Sequence, residues 1–346
     1  MSQFHKLTIK EIIKETANAV SIIFDVPENL KEEFQFKAGQ YITIKKELNG
    51  KEVRRAYSIC SDPNTGILKV AVKAVEGGTF SIYATKSLHT GDILEVSKPE
   101  GRFILEPKNG KNYLAIAAGS GITPIMAMLK ASLHDDSTFT LIYGNKSAED
   151  TIFKERLEVL KKMYATRLNV HYVFSREETQ GELFGRCDAG NINYLLKNNH
   201  KDVVFDQAFL CGPERMIRDL TEVLKSKNIA EENIHYELFS VPVTTNENND
   251  IPEGNSEITI MLDDEETTFV MSQKKTILNA ALNKDLDAPY SCQGGICSSC
   301  LGRVTEGAVT MEKNEILTDD EIEEGLILTC QAHPTTPKIK IDFDDV

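Results

Sequence analysis

Residues 292–300 read CQGGICSSC, and a fourth cysteine, Cys330, follows thirty positions later. Cysteines spaced C-x4-C-x2-C…C supply four thiolates that hold a [2Fe-2S] cluster, each iron bound tetrahedrally by two of them. Cys292, Cys297, Cys300 and Cys330 are therefore the candidate metal ligands. Gly294 and Gly295 suit a loop wrapped round inorganic sulfide, which needs backbone N–H groups turned inward and no Cβ in the way. A structural zinc site also takes four cysteines, but in C-x2-4-C pairs, and only Cys297 and Cys300 form one. A redox C-x-x-C motif would leave Cys292 and Cys330 idle. Around the loop lie strand-like SEITIMLDD and TTFVMS, a short apolar helix TILNAALNKD, and a segment that returns to the fourth ligand. Such a cluster moves one electron at a time, so the remaining chain should contain whatever feeds it.

A chain of 346 residues suits two or three domains. Hydrophobic content of 41% with 27% charged residues is that of a globular protein in water. MSQFHKLTIKEI has no apolar leader core, and no run reaches the length of a membrane span, so a cytoplasmic protein without disulfides or membrane insertion is expected. The net charge is −14; from residue 257 onward 18 Asp and Glu against 7 Lys and Arg give −11, leaving −3 for the preceding 256 residues. Nucleic acid is an unsuitable partner for that sign. The acidic run Asp319, Asp320, Glu321, Glu323 and Glu324 reads either as a solvated helix face or as a docking surface for a basic redox partner.

Residues 1–107 read as short strands separated by turns: KLTIKEIIKE, AVSIIFDVP, GQYITIKKE, the segment around Arg55, GILKVAVKAV and DILEVSKPEG. That spacing predicts an antiparallel β-barrel, interrupted by one helix near Phe80–Lys86. Two motifs stand out. In Arg55-Ala56-Tyr57-Ser58, strand alternation puts Arg55 and Tyr57 on one side and Ser58 on the other. A guanidinium can fork onto phosphate, and a phenol can lie against a conjugated ring. In Gly77-Gly78-Thr79-Phe80-Ser81, small and hydroxyl residues open the helix, whose free N–H groups can seat a pyrophosphate. Each motif alone is also compatible with an ordinary strand and helix start. Together they resemble the FAD-binding domain of the ferredoxin-NADP reductase family. The resemblance implies FAD contacts from Arg55, Tyr57, Ser58, Val72, Lys73, Gly78, Thr79 and Ser81.

After Pro107 the periodicity changes. NYLAIAAGSGITPIMAMLKASL, FTLIYG, FKERLEVLKKMY, NVHYVFS, VVFDQAFL and PERMIRDLTEVLKSK alternate strand and helix, with NVHYVFS and VVFDQAFL as consecutive strands. This predicts an α/β, doubly wound parallel sheet over 108–243, with ligands beyond the carboxyl ends of its strands. The turn Gly119-Ser120-Gly121-Ile122-Thr123-Pro124 departs from G-x-G-x-x-G at its last position, where Pro124 also fits a helix first turn. The same variant occurs in the ferredoxin-NADP reductase family, which implies nucleotide contacts at Gly119 and Gly121 and places Thr123 near the meeting of flavin and nicotinamide. No acidic residue ends FTLIYG. Instead Ser175-Arg176 ends the third strand, a hydroxyl and guanidinium suited to a 2′-phosphate, unless Arg176 only caps the turn with Glu177 and Glu178. NADPH is thus expected ahead of NADH. By the same resemblance Cys211-Gly212-Pro213 borders the nicotinamide, and Glu237 and Phe239 approach the flavin ring, although Phe239 also reads as plain core. Thr123, Cys211, Glu237 and Phe239 are the catalytic candidates. Cys60 and Cys187 read as inert thiols or packing residues.

The polar stretch 244–256 reads as a linker. Residues 257–346 resemble the plant-type ferredoxin domain, which implies an α+β β-grasp fold. The whole chain resembles the fused reductase components of multicomponent oxygenases: FAD domain, NADP domain, C-terminal ferredoxin. NADPH carries two electrons and the cluster accepts one, so FAD is expected between them. The implied partner is an oxygenase component, a di-iron enzyme, with desaturases, other hydroxylases and hybrid-cluster proteins as alternative acceptors. A cluster-based redox sensor and a zinc-stabilised interaction module are the rival readings. Negligible NADPH-driven dye reduction would mark the first, and absent cluster absorbance the second.

Overall fold

The computed structural model describes residues 4–239, 251 and 254–346. They divide into two compact units, the larger spanning 4–239 apart from 54–56. Its first part is a six-stranded antiparallel sheet: β1 (Phe4–Thr16), β2 (Ala19–Asp25), β3 (Tyr41–Leu48), β4 (Lys51–Ser58), β5 (Leu68–Lys73) and β6 (Ile93–Ser97), in the order β4-β3-β6-β1-β2-β5. Alternating positions such as Leu7 and Ile9, or Ile42 and Ile44, point inward and are fully buried, as strand periodicity requires. Just past β4, an isolated bridge from Ile59 to Val70 joins the two end strands and closes the barrel. Helix α1 (Thr79–Lys86) packs Phe80 and Ala84 into the same core.

The second part is a six-stranded parallel sheet. It comprises β7 (Asn112–Ala118), α2 (Ile122–Ser132), β8 (Thr138–Asn145), α3 (Lys154–Met163), β9 (Leu168–Phe174), β10 (Leu183–Phe184), α4 (Ala189–Asn198), β11 (Gln207–Gly212), α5 (Glu214–Lys225) and β12 (Ile234–Leu238). Strand order is β10-β9-β8-β7-β11-β12. Helix α5 buries Ile217, Leu220, Val223 and Leu224, an amphipathic stripe. Helix α2 buries ten of its eleven residues, which accounts for the apolar character of ITPIMAMLKAS on every face. Two details differ from the sequence reading. Helix α4 separates β9 from β11 and starts at Asp188, whose carboxylate caps the Asn191 amide. The strand expected from Val203 begins only at Gln207, because Asp206 accepts from the Asn112 amide and pairs with Lys111.

The smaller unit comprises β13 (Asn255–Leu262), β14 (Glu265–Ser272), α6 (Ile277–Leu282), β15 (Leu301–Glu306), β16 (Val309–Met311), α7 (Asp319–Glu323), β17 (Leu326–Leu328), β18 (Ala332–Pro334) and β19 (Lys338–Asp342). The main sheet runs β14-β13-β19-β15-β17, and β16 pairs with β18. Ile277, Leu278 and Ala281 of α6 fill the core against Ile258, Ile260 and Ile341. Most of the expected linker, like the end of the stretch read as its preceding domain, lies outside the described residues; its last two residues, Asn255 and Ser256, belong to β13. The acidic run has a local structural cause: Thr318 and Glu321 form a capping box, and Asp319 and Asp320 occupy the first turn of α7.

Phe209 of β11 is fully buried and meets Phe103, on the segment after β6, edge to face at 5.8 Å. Phe209→Ala should therefore cost about 3–5 kcal/mol. Urea unfolding followed by flavin and far-UV signals measures it.

Candidate cofactor sites

In the smaller unit the ligand loop brings the four predicted cysteines together. The Cys292 thiol interacts with those of Cys297 and Cys330, and Cys330 also with Cys300. Cys297, Cys300 and Cys330 are buried. Cys292 is held toward the thiolate by its thiol neighbours and the Gly294 and Ile296 amides, the Gly294 N–H lying 3.3 Å from its sulfur. Gly295 has φ +71°, and a Cβ there would lie 2.7 Å from the Lys313 carbonyl oxygen. The backbone therefore wraps tightly, as the two glycines predicted. Among the loop serines, Ser298 and Ser299 have partners, whereas the buried Ser291 hydroxyl has none among the described residues. Four converging soft thiols, inward amides and a spare donor fit an iron-sulfur cluster.

Strand β4 carries the R-x-Y-S motif, as expected. Arg55 is exposed and its guanidinium donates to the Arg54 carbonyl at 2.7 Å, while Ser58 is buried. The Tyr57 ring packs against Phe80 of α1 at 5.6 Å. Gly78 is the N-cap of α1 and provides no side-chain cap, so amides of the first turn are left for an anion. A Cβ on Gly78 would overlap the Ser81 hydroxyl, which accepts from the Val75 amide. Thr79 opens the helix. Val72 is buried on β5, and half-buried Lys73 follows it, the ammonium pKa lowered first by desolvation. A cation, a ring and an uncapped helix start fit a flavin dinucleotide.

The Gly119–Gly121 turn leads directly from β7 into α2, again with no side-chain cap. Gly119 has φ +56°, and a Cβ there would approach only the Lys73 ammonium, at 3.7 Å. A Cβ on Gly121 would overlap the Cys211 carbonyl, and one on Gly212 would press on Met216 and Ala118. These glycines let the turn and the end of β11 close on each other. Thr123 is buried and donates to the Ser120 carbonyl at 3.1 Å. Pro213 is the N-cap of α5. At the end of β9, Ser175 donates to the Asn145 carbonyl through both its amide and its hydroxyl. Arg176 is exposed and forms no ion pair among the described residues, for Glu177 accepts instead from the Ala148 amide and Thr179.

Glu237, near the end of β12, is engaged by the barrel: Ser58 donates to it at 3.3 Å. Burial pushes its carboxyl up to about 8, against the lowering effect of Ser58. Cys211 sits opposite Glu237 in the β11–β12 register, fully buried, its thiol raised by desolvation and then by the Glu237 charge. Phe239 is 38% exposed, so it is not core. Cys60 and Cys187 are buried thiols with pKa values pushed up by desolvation to about 11 and about 12, which keeps them protonated. Two residues escaped the sequence reading. Tyr143 donates to the Gly119 carbonyl, and its signal was an aromatic with a polar tip ending a buried strand. The Gln331 amide lies 3.7 Å from the Cys330 sulfur and bonds the Gln293 carbonyl, a link invisible without the loop's shape.

Comparison with known proteins agrees with this division of labour. Residues 6–104 match the oxidoreductase FAD-binding domain, 115–222 the oxidoreductase NAD-binding domain and 260–335 the 2Fe-2S iron-sulfur cluster binding domain. The chain therefore belongs to the ferredoxin-NADP reductase family, in the group that carries a C-terminal [2Fe-2S] ferredoxin domain, and it is an NAD(P)H-dependent oxidoreductase that uses FAD and a [2Fe-2S] cluster. It is 39% identical to a component of the 1,2-phenylacetyl-CoA epoxidase of Escherichia coli K12, covering 99% of both chains. It is 33% identical to the ferredoxin reductase component of 3-ketosteroid-9-alpha-monooxygenase of Rhodococcus rhodochrous, over 97% of this chain and 96% of that one. The fold matches phthalate dioxygenase reductase with a TM-score of 0.63, 22% identity and 98% coverage of each chain.

The raised Glu237 pKa has a consequence for stability. The folded state holds this proton more tightly than the unfolded state, so its contribution to stability is fully present below about pH 4.5 and is lost as pH rises toward and through about 8. Glu237→Gln removes that dependence. The melting temperature of the native protein, relative to Glu237→Gln, should fall between pH 6 and pH 9; a constant difference would show that Glu237 is not buried as an acid.

Proposed function

We propose that this chain draws electrons from NADPH and delivers them singly to the oxygenase component of a di-iron system, of which 1,2-phenylacetyl-CoA epoxidase is the model. The observation that carries the proposal is the end-to-end likeness to the Escherichia coli epoxidase component, through all three cofactor domains. When bound, FAD exchanges an electron pair for single electrons and the cluster supplies a one-electron outlet. Among the described residues no helix is long and apolar enough to cross a membrane. Seven free thiols, four of them cluster-ligand candidates, suit a reducing cytoplasm.

The residues take the following roles. Arg55 and the α1 amides, with Gly78, Thr79 and Ser81, hold the FAD phosphates. Tyr57 flanks the ring system, Val72, packed in the barrel core, offers only its backbone, and Lys73 lies toward the phosphates. Gly119 and Gly121 seat the nucleotide pyrophosphate, while Thr123, Cys211, Gly212 and Pro213 border the nicotinamide. Glu237, neutral below about pH 8, holds a proton at its carboxyl while accepting from the Ser58 hydroxyl. Phe239, being exposed, shields the flavin edge from water. Cys292, Cys297, Cys300 and Cys330 hold the cluster.

Ser175 and Arg176 recognise the 2′-phosphate, supported by an Arg176 guanidinium that no carboxylate among the described residues occupies. Losing a charge-assisted contact of that kind costs about 1.5–3 kcal/mol, so Arg176→Ala should raise the KM for NADPH about tenfold or more and leave that for NADH nearly unchanged. Equal effects on both nucleotides would remove the preference. The outlet is tested separately with Cys297→Ser. That variant should keep NADPH-driven ferricyanide reduction but lose electron delivery to a purified di-iron oxygenase component. Undiminished delivery would refute the cluster's role.

A further inference from the structure

A turn that seats a pyrophosphate must aim its N–H groups at the anion and keep its carbonyl oxygens away from it. Here two carbonyls of the Gly119–Gly121 turn are tied into the protein. Both oxygens accept from the Ile122 amide within the turn; the Ser120 oxygen is further held by Thr123, and the Gly119 oxygen accepts at 2.9 Å from the hydroxyl of Tyr143, on the adjacent strand β8. Tyr143 has no exposed surface. A phenylalanine would fill the same space, so packing alone does not require the hydroxyl. Gly119, at φ +56° and without a side chain, is otherwise held within the turn by the Ile122 amide, which donates to the same oxygen. Asn145 lies on the same face of β8, two residues on, 9% exposed. Its amide sits near the Tyr143 hydroxyl, yet neither amide atom has a partner of good geometry among the described residues. The carboxyl end of β8 thus gathers two polar tips beneath the turn, in a place where an unsatisfied polar group is costly.

We propose that Tyr143 is a positioning residue for the pyridine nucleotide: its hydroxyl latches the Gly119 carbonyl inward and so presents the turn's amides and the first turn of α2 to the pyrophosphate. This rests on the reading of Gly119–Pro124 as the nucleotide seat. A latch of this kind acts on nucleotide affinity and leaves electron transfer within the bound complex unchanged.

The test is steady-state kinetics of the FAD- and cluster-loaded protein with ferricyanide. Tyr143→Phe should raise the KM for NADPH and NADH alike, about five- to tenfold, as expected for loss of the Gly119 bond, the shorter of the hydroxyl's two, the other running to the Ile152 carbonyl at 3.4 Å. Its kcat should stay within about twofold, the split that marks lost binding. Asn145→Asp, which offers the hydroxyl a competing acceptor, should raise KM in the same way should Tyr143→Phe lose its flavin. Ser120→Asp places a carboxylate on the turn itself and tests the seat. If Ser120→Asp leaves KM unmoved, the turn is not the seat and the proposal falls with that reading. If Ser120→Asp raises KM but neither β8 variant does, or if they lower kcat with KM unchanged, the latch alone is refuted.

Discussion

The Ser58–Glu237 hydrogen bond joins the two halves of the larger unit. Ser58 ends a barrel strand, and Glu237 nears the end of an edge strand of the parallel sheet. Their contact requires the carboxyl ends of β7, β11 and β12 to face the R-x-Y-S strand. The glycines make that approach possible, since a side chain at Gly121 would overlap the Cys211 backbone. A buried carboxyl with a single hydroxyl partner is an expensive arrangement to hold in a fold. It stays because the group is neutral near neutral pH, which is also the form able to give a proton.

The same economy governs the cluster loop. Four neighbouring thiols would repel one another as thiolates, so Cys292 is drawn toward that form while Cys297 and Cys330 are held protonated. The loop's inward amides, Gly295 in its left-handed conformation and the Gln331 bond to the Gln293 carbonyl fix its shape from the backbone outward. The ligand set is thus supported by covalent spacing and backbone hydrogen bonds, while the core of that domain, built on Ile258, Ile260, Leu328 and Ile341, supplies its stability.

Much of this was legible in the sequence because each domain announces itself by a different period. Six alternating strands gave the barrel, strand and helix alternation gave the parallel sheet, and C-x4-C-x2-C gave the loop. The ligand cysteines, the R-x-Y-S strand and the Gly-rich turn all fall on elements of the kind their motifs required. Contacts between distant segments were not readable. No local pattern foretells that Tyr143 would reach Gly119, that Ser58 would meet Glu237, or that Glu177 would turn to Ala148 and leave Arg176 without an ion pair among the described residues. Helix α4 was missed because its sequence, AGNINYLLKN, is weakly apolar and its start depends on the Asp188 cap. Phe239 was split between core and flavin contact, and its exposure decides against core.

Conversion of a two-electron donor into a one-electron outlet within a single chain is the central claim. Anaerobic reductive titration, following flavin and cluster absorbance together, tests it most directly. The account predicts uptake of about three electrons per chain, two by the flavin and one by the cluster. Uptake of only about two, with the visible bands of the C-terminal domain unbleached, would contradict it.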